Sequence, residues 1–556
     1  MERRDSLNLY IQDAIRKNWE RLALSDFEGT SLQYRGIARK IAKLHIAYEK
    51  GGIKKGDRIA LCGRNSALWA TAFLSVITYG AVAVPILHDF HPDNIHHLVN
   101  HSEARLLFCD KEIWATLKAD EMPALEGAVG LHDYSMLLSR NEVFTETRDH
   151  LNELFGQKYP REFTVNDVNY YVDQPEELAV INYTSGSMGF SKGVMLPYRA
   201  LWSNMQFCFD HLTWLKPGDG VVCMLPLAHM YGLMCDMIHC LCKGCHLNFL
   251  TRLPSPTIIM KAFATIKPKM IITVPLIIEK IIKTRVFPLL EKPMMKLMLK
   301  VPFVDEKLLA KIKEKLTETF GGNLKELIIG GAGLNKDVEA FLRRIKFPFT
   351  VGYGMTECAP LIAYAPWEQQ RPASCGRIVD RMEAKIDSPD PANIPGVLWV
   401  KGTNVMQGYY KNPEATEAVM GEDGWMNTGD ICSMDSDGFL YIRGRDKSMI
   451  LGPSGQNIYP EEIEQVLNNL PYVSESLVVA TPDHQLVALI YPDYELTSKE
   501  NMSEKDIEDI MAQNIKQLNS DIPAYSKVTK FKILKEEFEK TPKRSIKRYL
   551  YQNKPY

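Results

Sequence analysis

The stretch INYTSGSMGFSKGVMLP, Ile181 to Pro197, enters on an apolar run and leaves on another. Between them it packs three glycines and four small hydroxyl side chains around one lysine, Lys192. A strand ending in such a loop can turn backbone N–H groups and Ser/Thr hydroxyls toward a polyphosphate, and the lysine adds one positive charge. The order differs from G-x-x-x-x-G-K-[ST], so the fold built around that motif is not implied. By itself the stretch leaves a plain surface loop open as the lesser reading.

Outward from this loop, short β-rich apolar runs alternate with helical patterns for most of the chain before residue 380. DRIALCG is followed by SALWATAFLSVITYG and AVAVPIL; ARLLFCD, GAVGLHD, GVVCMLPL, CHLNFL, MIITVP, LKELIIGG and FPFTVGYG continue the pattern. Strand, crossover helix and strand in repeated order predict mostly parallel sheets covered on both faces. Past residue 380, EAKIDS, GVLWVKG, ICSMDS and GFLYIRGR predict a β-rich subdomain of short strands with tight turns. A last unit opens near Gly444 to Lys447 and alternates strands with helices. The expected fold is α/β: a large domain over residues 1–444 in layered sheets, and a small mobile α+β domain over 445–556.

The chain has 556 residues and a net charge of -2, from 66 basic and 68 acidic side chains. That balance gives no electrostatic reason to expect nucleic acid as a partner. The start, MERRDSLNLYIQDAIRKNWE, reads as an amphipathic helix rather than a secretory signal, and no run approaches the ~20 apolar residues of a membrane span. A cytoplasmic protein with reduced thiols is expected from eleven cysteines in so long a chain. Cys235, His239, Cys240, Cys242, Cys245 and His246 lie close enough in sequence for a zinc site. They sit in an apolar run where cysteine serves as a small hydrophobe, and paired C-x-x-C knuckles at the usual separation are missing, so core packing is the expectation.

Other segments add chemistry. VGYGMTE, Val351 to Glu357, presents a tyrosine, a threonine and a glutamate in one tight loop. The ring can stack on a base, the hydroxyl can bond a phosphate oxygen, and the carboxylate can hold magnesium. WMNTGD ends in Asp430, suited to ribose hydroxyls, and GRDKSMI supplies Arg445, a fixed fork of donors.

Taken in order, Thr184–Gly193, LPLAHMYG, IIGGAGL, GYGMTE, TGD, GRDKSMI and GQNIYPEEIE resemble the acyl-adenylate-forming enzymes, which include acyl-CoA synthetases, luciferase-like enzymes and peptide-synthetase adenylation domains. The resemblance runs from about Leu7 to the end, and NVMQGYYKNPEAT together with the length is most similar to bacterial long-chain fatty-acid–CoA ligases. It implies that Thr184, Ser185, Gly186, Ser187, Gly189 and Lys192 hold the phosphates of ATP. Gly331, Ala332 and Gly333 would form one wall of the adenine slot, with Tyr353 and Gly354 opposite. Thr356 would touch the α-phosphate, Glu357 with Thr184 would hold Mg2+, and Asp430 with Arg445 would fix the ribose. Lys447 lies near the implied hinge, and Gly455 would line the thiol channel for coenzyme A. The implied reaction joins a fatty acid to AMP with loss of pyrophosphate, then passes the acyl group to coenzyme A; loading of a carrier-protein thiol is the alternative. The implied state is a monomer or homodimer.

Three positions depart from the family pattern. Met188 stands where threonine is usual and Ser191 where proline is, both tolerable in a loop that binds through backbone amides. The third is KTPKRSIKR: Ser545 occupies the place of the lysine that bridges carboxylate and α-phosphate during adenylation. A serine cannot supply that charge. Lys543 and Lys547 share its strand parity but lie about 7 Å to either side. A slow first half-reaction, or a degenerate binding protein, follows from this residue.

Two segments carry paired readings. His229 is either a satisfied core histidine or, as its place in LPLAHMYG favours, a polar gate on the acyl-carboxylate pocket. MIITVPLIIEKII is read as a tunnel wall or a plain core strand and helix. FPLLEKPMMKLMLKVPFVDEKLLAKIKEKL, Phe287 to Leu316, is methionine-rich, basic and amphipathic. Packing on the core is the expected reading, with peripheral contact at the inner membrane face as the alternative.

Overall fold

The computed structural model describes residues 5–556 apart from 185–191, 252–254, 300, 302–303, 452–456, 482–484, 524–525, 542–544, 553 and 555. Before residue 380, three sheets carry the parallel strands. The largest has eight strands, and its central five (Leu178–Thr184, Val82–Ile86, Arg58–Cys62, Leu106–Cys109 and Gly127–Gly130) run parallel. Lys192–Pro197 and Gly408–Tyr409 extend it antiparallel on one side, Met136–Ser139 on the other. A second sheet pairs Gly220–Cys223, His246–Phe249 and Leu22–Asp26 in parallel, with Ser31–Gln33 antiparallel at its edge. The third consists of Met270–Thr273, Glu326–Ile329 and Phe349–Val351, all parallel.

The apolar runs explain these layers. Every residue of Val82–Ile86, Met270–Thr273 and Glu326–Ile329 is buried, as expected of strands covered on both faces. Helix Ala67–Tyr79 is apolar all round and almost wholly buried. Ser66 caps it by accepting the Trp69 N–H at 3.0 Å. Helix Leu7–Lys17 buries Leu7, Ile11, Ala14 and Ile15 on one face, as its sequence pattern predicts.

After residue 380 the texture becomes antiparallel: Met382–Asp387, Gly396–Gly402, Met426–Met434 and Leu440–Arg445 form one sheet in that order. The C-terminal part has its own three-stranded sheet, Val473–Ala480, Leu486–Pro492 and Lys530–Ile533, covered by helices Pro460–Leu467 and Glu504–Asp521. It rests beside the bend 331–335: Gln465 Nε2 donates to the Leu334 carbonyl at 3.1 Å, and Asn335 bonds Asn469.

One expectation needs correction. The methionine-rich segment divides into separate pieces. Helix Val304–Thr319 packs inward through Leu309, Ile312 and Leu316. Helices Phe287–Leu290 and Pro293–Met298 bury no residue fully, although Phe287 and Leu290 lean half-buried on the core. Pro288 and Pro293 break the helical run, so the apolar stripe is never carried onto the core as one face.

Candidate functional site

The opening hairpin brings its two ends together. Thr184 closes strand Leu178–Thr184, Lys192 opens strand Lys192–Pro197, and the two are register partners. Ser185, Gly186, Ser187, Met188, Gly189 and Ser191 lie outside the described residues. The Lys192 ammonium lies 4.7 Å from the centre of the Tyr409 ring. Tyr409 is placed by pairing of strand Gly408–Tyr409 with Lys192–Pro197, and its hydroxyl donates to Glu357 Oε1 at 2.9 Å. Lysine, tyrosine and glutamate thus form one continuous group at the mouth of the loop. Burial and the Glu357 carboxylate hold the Tyr409 phenol well above its ordinary range, so it stays a donor.

A second group adjoins the first. Asp430 and Arg445 face each other across strands Met426–Met434 and Leu440–Arg445, with Arg445 Nε 2.7 Å from Asp430 Oδ1. The Tyr353 hydroxyl donates to the other carboxylate oxygen, and Thr428 Oγ1 accepts the Asp430 N–H at 3.1 Å. Burial raises the Asp430 carboxyl above its usual range, against the pull of Arg445 and Tyr353. Glu357 and Glu461 both act on Asp430 and Arg445 through their charges, so these acids and the arginine share one field. Glu461, in the first turn of helix Pro460–Leu467, is the contribution of the C-terminal part.

Below these groups lies a mainly apolar cavity of about 90 Å³, lined by His229, Tyr231, Cys235, Ile272, Gly331, Tyr353, Gly354 and Thr356. The His229 ring accepts the Tyr231 N–H on Nδ1 at 3.2 Å, which puts the neutral ring's proton on Nε2. Tyr231 donates to the Ile328 carbonyl at 3.2 Å and leads into a π-helical run, Gly232–Ile238. Such runs recur at functional sites because they re-aim side chains. Gly331 has a φ of +86° on the bend after strand Glu326–Ile329, and a Cβ on Gly354 would stand 2.2 Å from the Pro360 carbonyl oxygen. Gly354→Ala is therefore expected to displace the Tyr353–Glu357 turn and to cost about 2–3 kcal/mol of stability. Denaturant unfolding compared with the parent checks this; an unchanged midpoint contradicts the clash.

Behind the cavity, Glu326 accepts the Tyr364 hydroxyl at 2.9 Å and the Trp367 N–H at 3.0 Å. Desolvation pushes its carboxyl up to about 7, from 4.5. The folded state then holds a proton that the unfolded state has lost. The contribution of Glu326 to stability is therefore fully present below about pH 4.5 and is lost as pH rises through 7. Glu326→Gln should remove that decline, worth about 3 kcal/mol at most between pH 5 and pH 8. Equal pH slopes for the two proteins in denaturant unfolding would overturn it.

Other expected residues stand apart. Ala332 and Gly333 are exposed on the bend, with Gly333 toward Gln465. Lys447 falls in the turn Asp446–Ser448, its side chain outside the described set, as are Gly455 and Lys543. Ser545 is exposed: its N–H donates to Thr541 Oγ1 at 3.3 Å and its carbonyl accepts the Thr541 N–H at 2.8 Å. Lys547 is engaged by Glu539 at 3.2 Å, and Arg548 by Glu464 at 2.7 Å. The eleven cysteines are free and buried, and burial lifts the Cys240 and Cys245 thiols, the latter to about 12. Among the described residues Asp93, His96 and Glu121 gather closely enough for a metal. However, His96 Nε2 accepts the Lys118 N–H at 2.9 Å, so Nδ1 carries the proton toward Glu121 and offers no lone pair.

Tyr409, Tyr231 and Glu461 were not singled out by sequence. Tyr409 sits in the quoted GYYKNP run, yet nothing local marks it as the partner of Glu357.

Comparison with known proteins assigns the family. A family model described as AMP-binding enzyme matches residues 11–410, and one described as AMP-binding enzyme C-terminal domain matches 447–554. The chain is 25% identical over 465 residues to a luciferin 4-monooxygenase of Photuris pensylvanica, covering 81% of this chain and 77% of that protein. It is 29% identical over 474 residues to a long-chain-fatty-acid–CoA ligase of Escherichia coli O6:H1, covering 82% and 79%. The crystal structure of ATP-bound MatB from Rhodopseudomonas palustris shares the fold, with a TM-score of 0.76, 22% identity, and coverage of 99% of this chain and 98% of that one. With the family model spanning most of its length, the chain belongs to the AMP-binding enzymes, the adenylate-forming superfamily.

Proposed function

We propose that this protein activates a fatty acid, of the long-chain class, with ATP and Mg2+ and then joins the acyl group to coenzyme A. The observation that carries the reading is the junction of the Lys192–Tyr409–Glu357 group with Tyr353, Asp430 and Arg445 above an apolar cavity that holds His229 and Thr356. Each part has one task. Asp430 and Arg445 present oxygens and donors to ribose, and Tyr353 offers a ring face to adenine. Thr184 and Lys192 stand at the two ends of the glycine- and hydroxyl-rich loop whose sequence suits phosphates. Glu357 is a hard oxygen ligand beside them, suited to Mg2+, which would draw charge from the departing pyrophosphate.

A carboxylate oxygen of the acid attacks the α-phosphorus, the bond to pyrophosphate breaks, and acyl-AMP remains. A thiolate then attacks the acyl carbon and AMP leaves. His229, with its proton on Nε2, is the donor suited to orient the acid's carboxylate, and the apolar wall takes the chain. Residues 445–556 act as the mobile part that serves the two half-reactions in turn, with the hinge near Lys447 and Gly455 at the thiol channel. A cavity of about 90 Å³ is smaller than the ~150 Å³ void that takes up benzene. It fits the first carbons of a chain, and a longer tail requires the wall around Ile272 and Tyr231 to move. The reading places the protein in the cytoplasm, as a monomer or homodimer, with access to the inner membrane face. Among the described residues no helix is long and apolar enough to cross a membrane.

Pyrophosphate release with ATP, Mg2+ and acids from acetate to stearate, with and without coenzyme A, tests the proposal. Release that peaks at long chains and rises with coenzyme A is expected. A peak at short acids overturns the long-chain half alone. Indifference to coenzyme A moves the thiol acceptor to a carrier protein, and no release with any acid makes adenylation the failed step.

A further inference from the structure

Of the twelve large apolar side chains exposed among the described residues, five fall within one short segment: Leu276, Leu289, Met294, Leu297 and Val301. Met294 is 74% exposed and Leu276 69%. Helix Pro293–Met298 buries no residue, and helix Phe287–Leu290 leans on the core through the half-buried Phe287 and Leu290 while Leu289 stays outside. Isolated exposed apolar residues are ordinary, but five within one short segment mark an interaction surface.

Charge says what covers it. From 276 to 301 the sequence carries six basic residues against two acidic ones, net +4, in a chain whose net charge is -2. The two acids subtract little from the surface: Glu279 accepts the Asn335 N–H at 2.8 Å, on the protein side, and Glu291 is already paired with Lys296. Exposed alkyl side chains in a segment this basic match the boundary of an anionic bilayer, where apolar groups enter the acyl edge and lysines meet phosphates. A second copy of the chain would instead set like charges against each other.

We infer that this segment docks the protein on an anionic lipid surface. The location fits delivery of substrate. Strand Met270–Thr273 puts Ile272 in the cavity wall, and helix Pro275–Ile281, which carries Leu276, begins two residues after that strand ends. An acid dissolved in the bilayer therefore meets this face next to the wall of its own pocket. That use of the surface rests on the fatty-acyl reading; the docking itself does not.

The test is co-sedimentation of the full chain with vesicles of phosphatidylcholine, alone or with about one fifth phosphatidylserine. The parent protein should pellet with the anionic vesicles, at least about tenfold less with neutral ones, and less again as salt shortens the screening length. Met294→Glu with Leu297→Glu, both at exposed positions, should lower binding at least about tenfold while pyrophosphate release with a water-soluble acid and no vesicles stays at the parent's level. Lys292→Glu alone should weaken anionic binding several-fold. A parent protein that stays in solution with both vesicle types, or a double variant that pellets like the parent, overturns the inference. So does a parent dimer in light scattering that the double variant dissociates, which would assign the face to a second copy. Vesicle binding without ligase activity would remove the proposed reaction and leave the docking intact.

Discussion

Glu357→Ala is expected to lower pyrophosphate release by about 10²–10³-fold at saturating ATP, the scale lost when a preorganised charge-stabilising group is removed. Glu357 is the one carboxylate that the Tyr409 hydroxyl holds at 2.9 Å, and Tyr409 in turn lies under the Lys192 ammonium at 4.7 Å. Removing it takes away the oxygen ligand suited to Mg2+ and frees the tyrosine that separates lysine from acid. Tyr409→Phe keeps the ring under Lys192 and deletes only the hydroxyl, so about tenfold should be lost, with Glu357 still present to bind the ion. The two variants separate metal binding from positioning: raising Mg2+ should not rescue Glu357→Ala and should partly rescue Tyr409→Phe. Thioester formation from supplied acyl-AMP should be far less affected in both, because no pyrophosphate departs in that step. A Glu357→Ala protein within about threefold of the parent in pyrophosphate release would remove Glu357 from the reaction.

The same residues show what the sequence could and could not carry. Buried parallel strands were legible because they read as unbroken apolar runs between turn residues, as in Arg58–Cys62 and Met270–Thr273. Thr356, Glu357, Asp430 and Arg445 were legible as residue types in tight, glycine-bearing segments. Their partners were not. Tyr353 meets Asp430 across 77 residues and Tyr409 meets Glu357 across 52, and only strand pairing creates those contacts. Helical periodicity misled at Met294 and Leu297: an amphipathic stripe implies a packed face only if one helix carries it, and two prolines divide this one. At Glu326 the sequence shows an acid in a strand. Its shift toward neutrality comes from burial behind Tyr364, which no local pattern encodes.

Ser545→Lys is expected to raise the rate of acyl-AMP formation by about 10–100-fold, the effect of one well-placed charge on a developing anion. The reasoning begins with what stands near that position. Lys547 is bonded to Glu539 and Arg548 to Glu464 and Glu461, so the two cations that follow Ser545 most closely are committed to acids of the C-terminal part. Ser545 itself is exposed and, among the described residues, bonded to Thr541 through its backbone alone, so a longer side chain can point outward. A lysine there gains a charge on a segment that the proposed motion of residues 445–556 carries to the α-phosphate. Glu539→Gln supplies the control: if Lys547 already does this work when released from Glu539, that variant should quicken the parent and add nothing to Ser545→Lys. The two half-reactions divide the outcome further. Single-turnover acyl-AMP formation should rise in Ser545→Lys while conversion of supplied acyl-AMP and coenzyme A to thioester stays level. An unchanged adenylation rate would mean that the phosphates are neutralised by Lys192 and its loop alone, and that the serine costs this enzyme nothing.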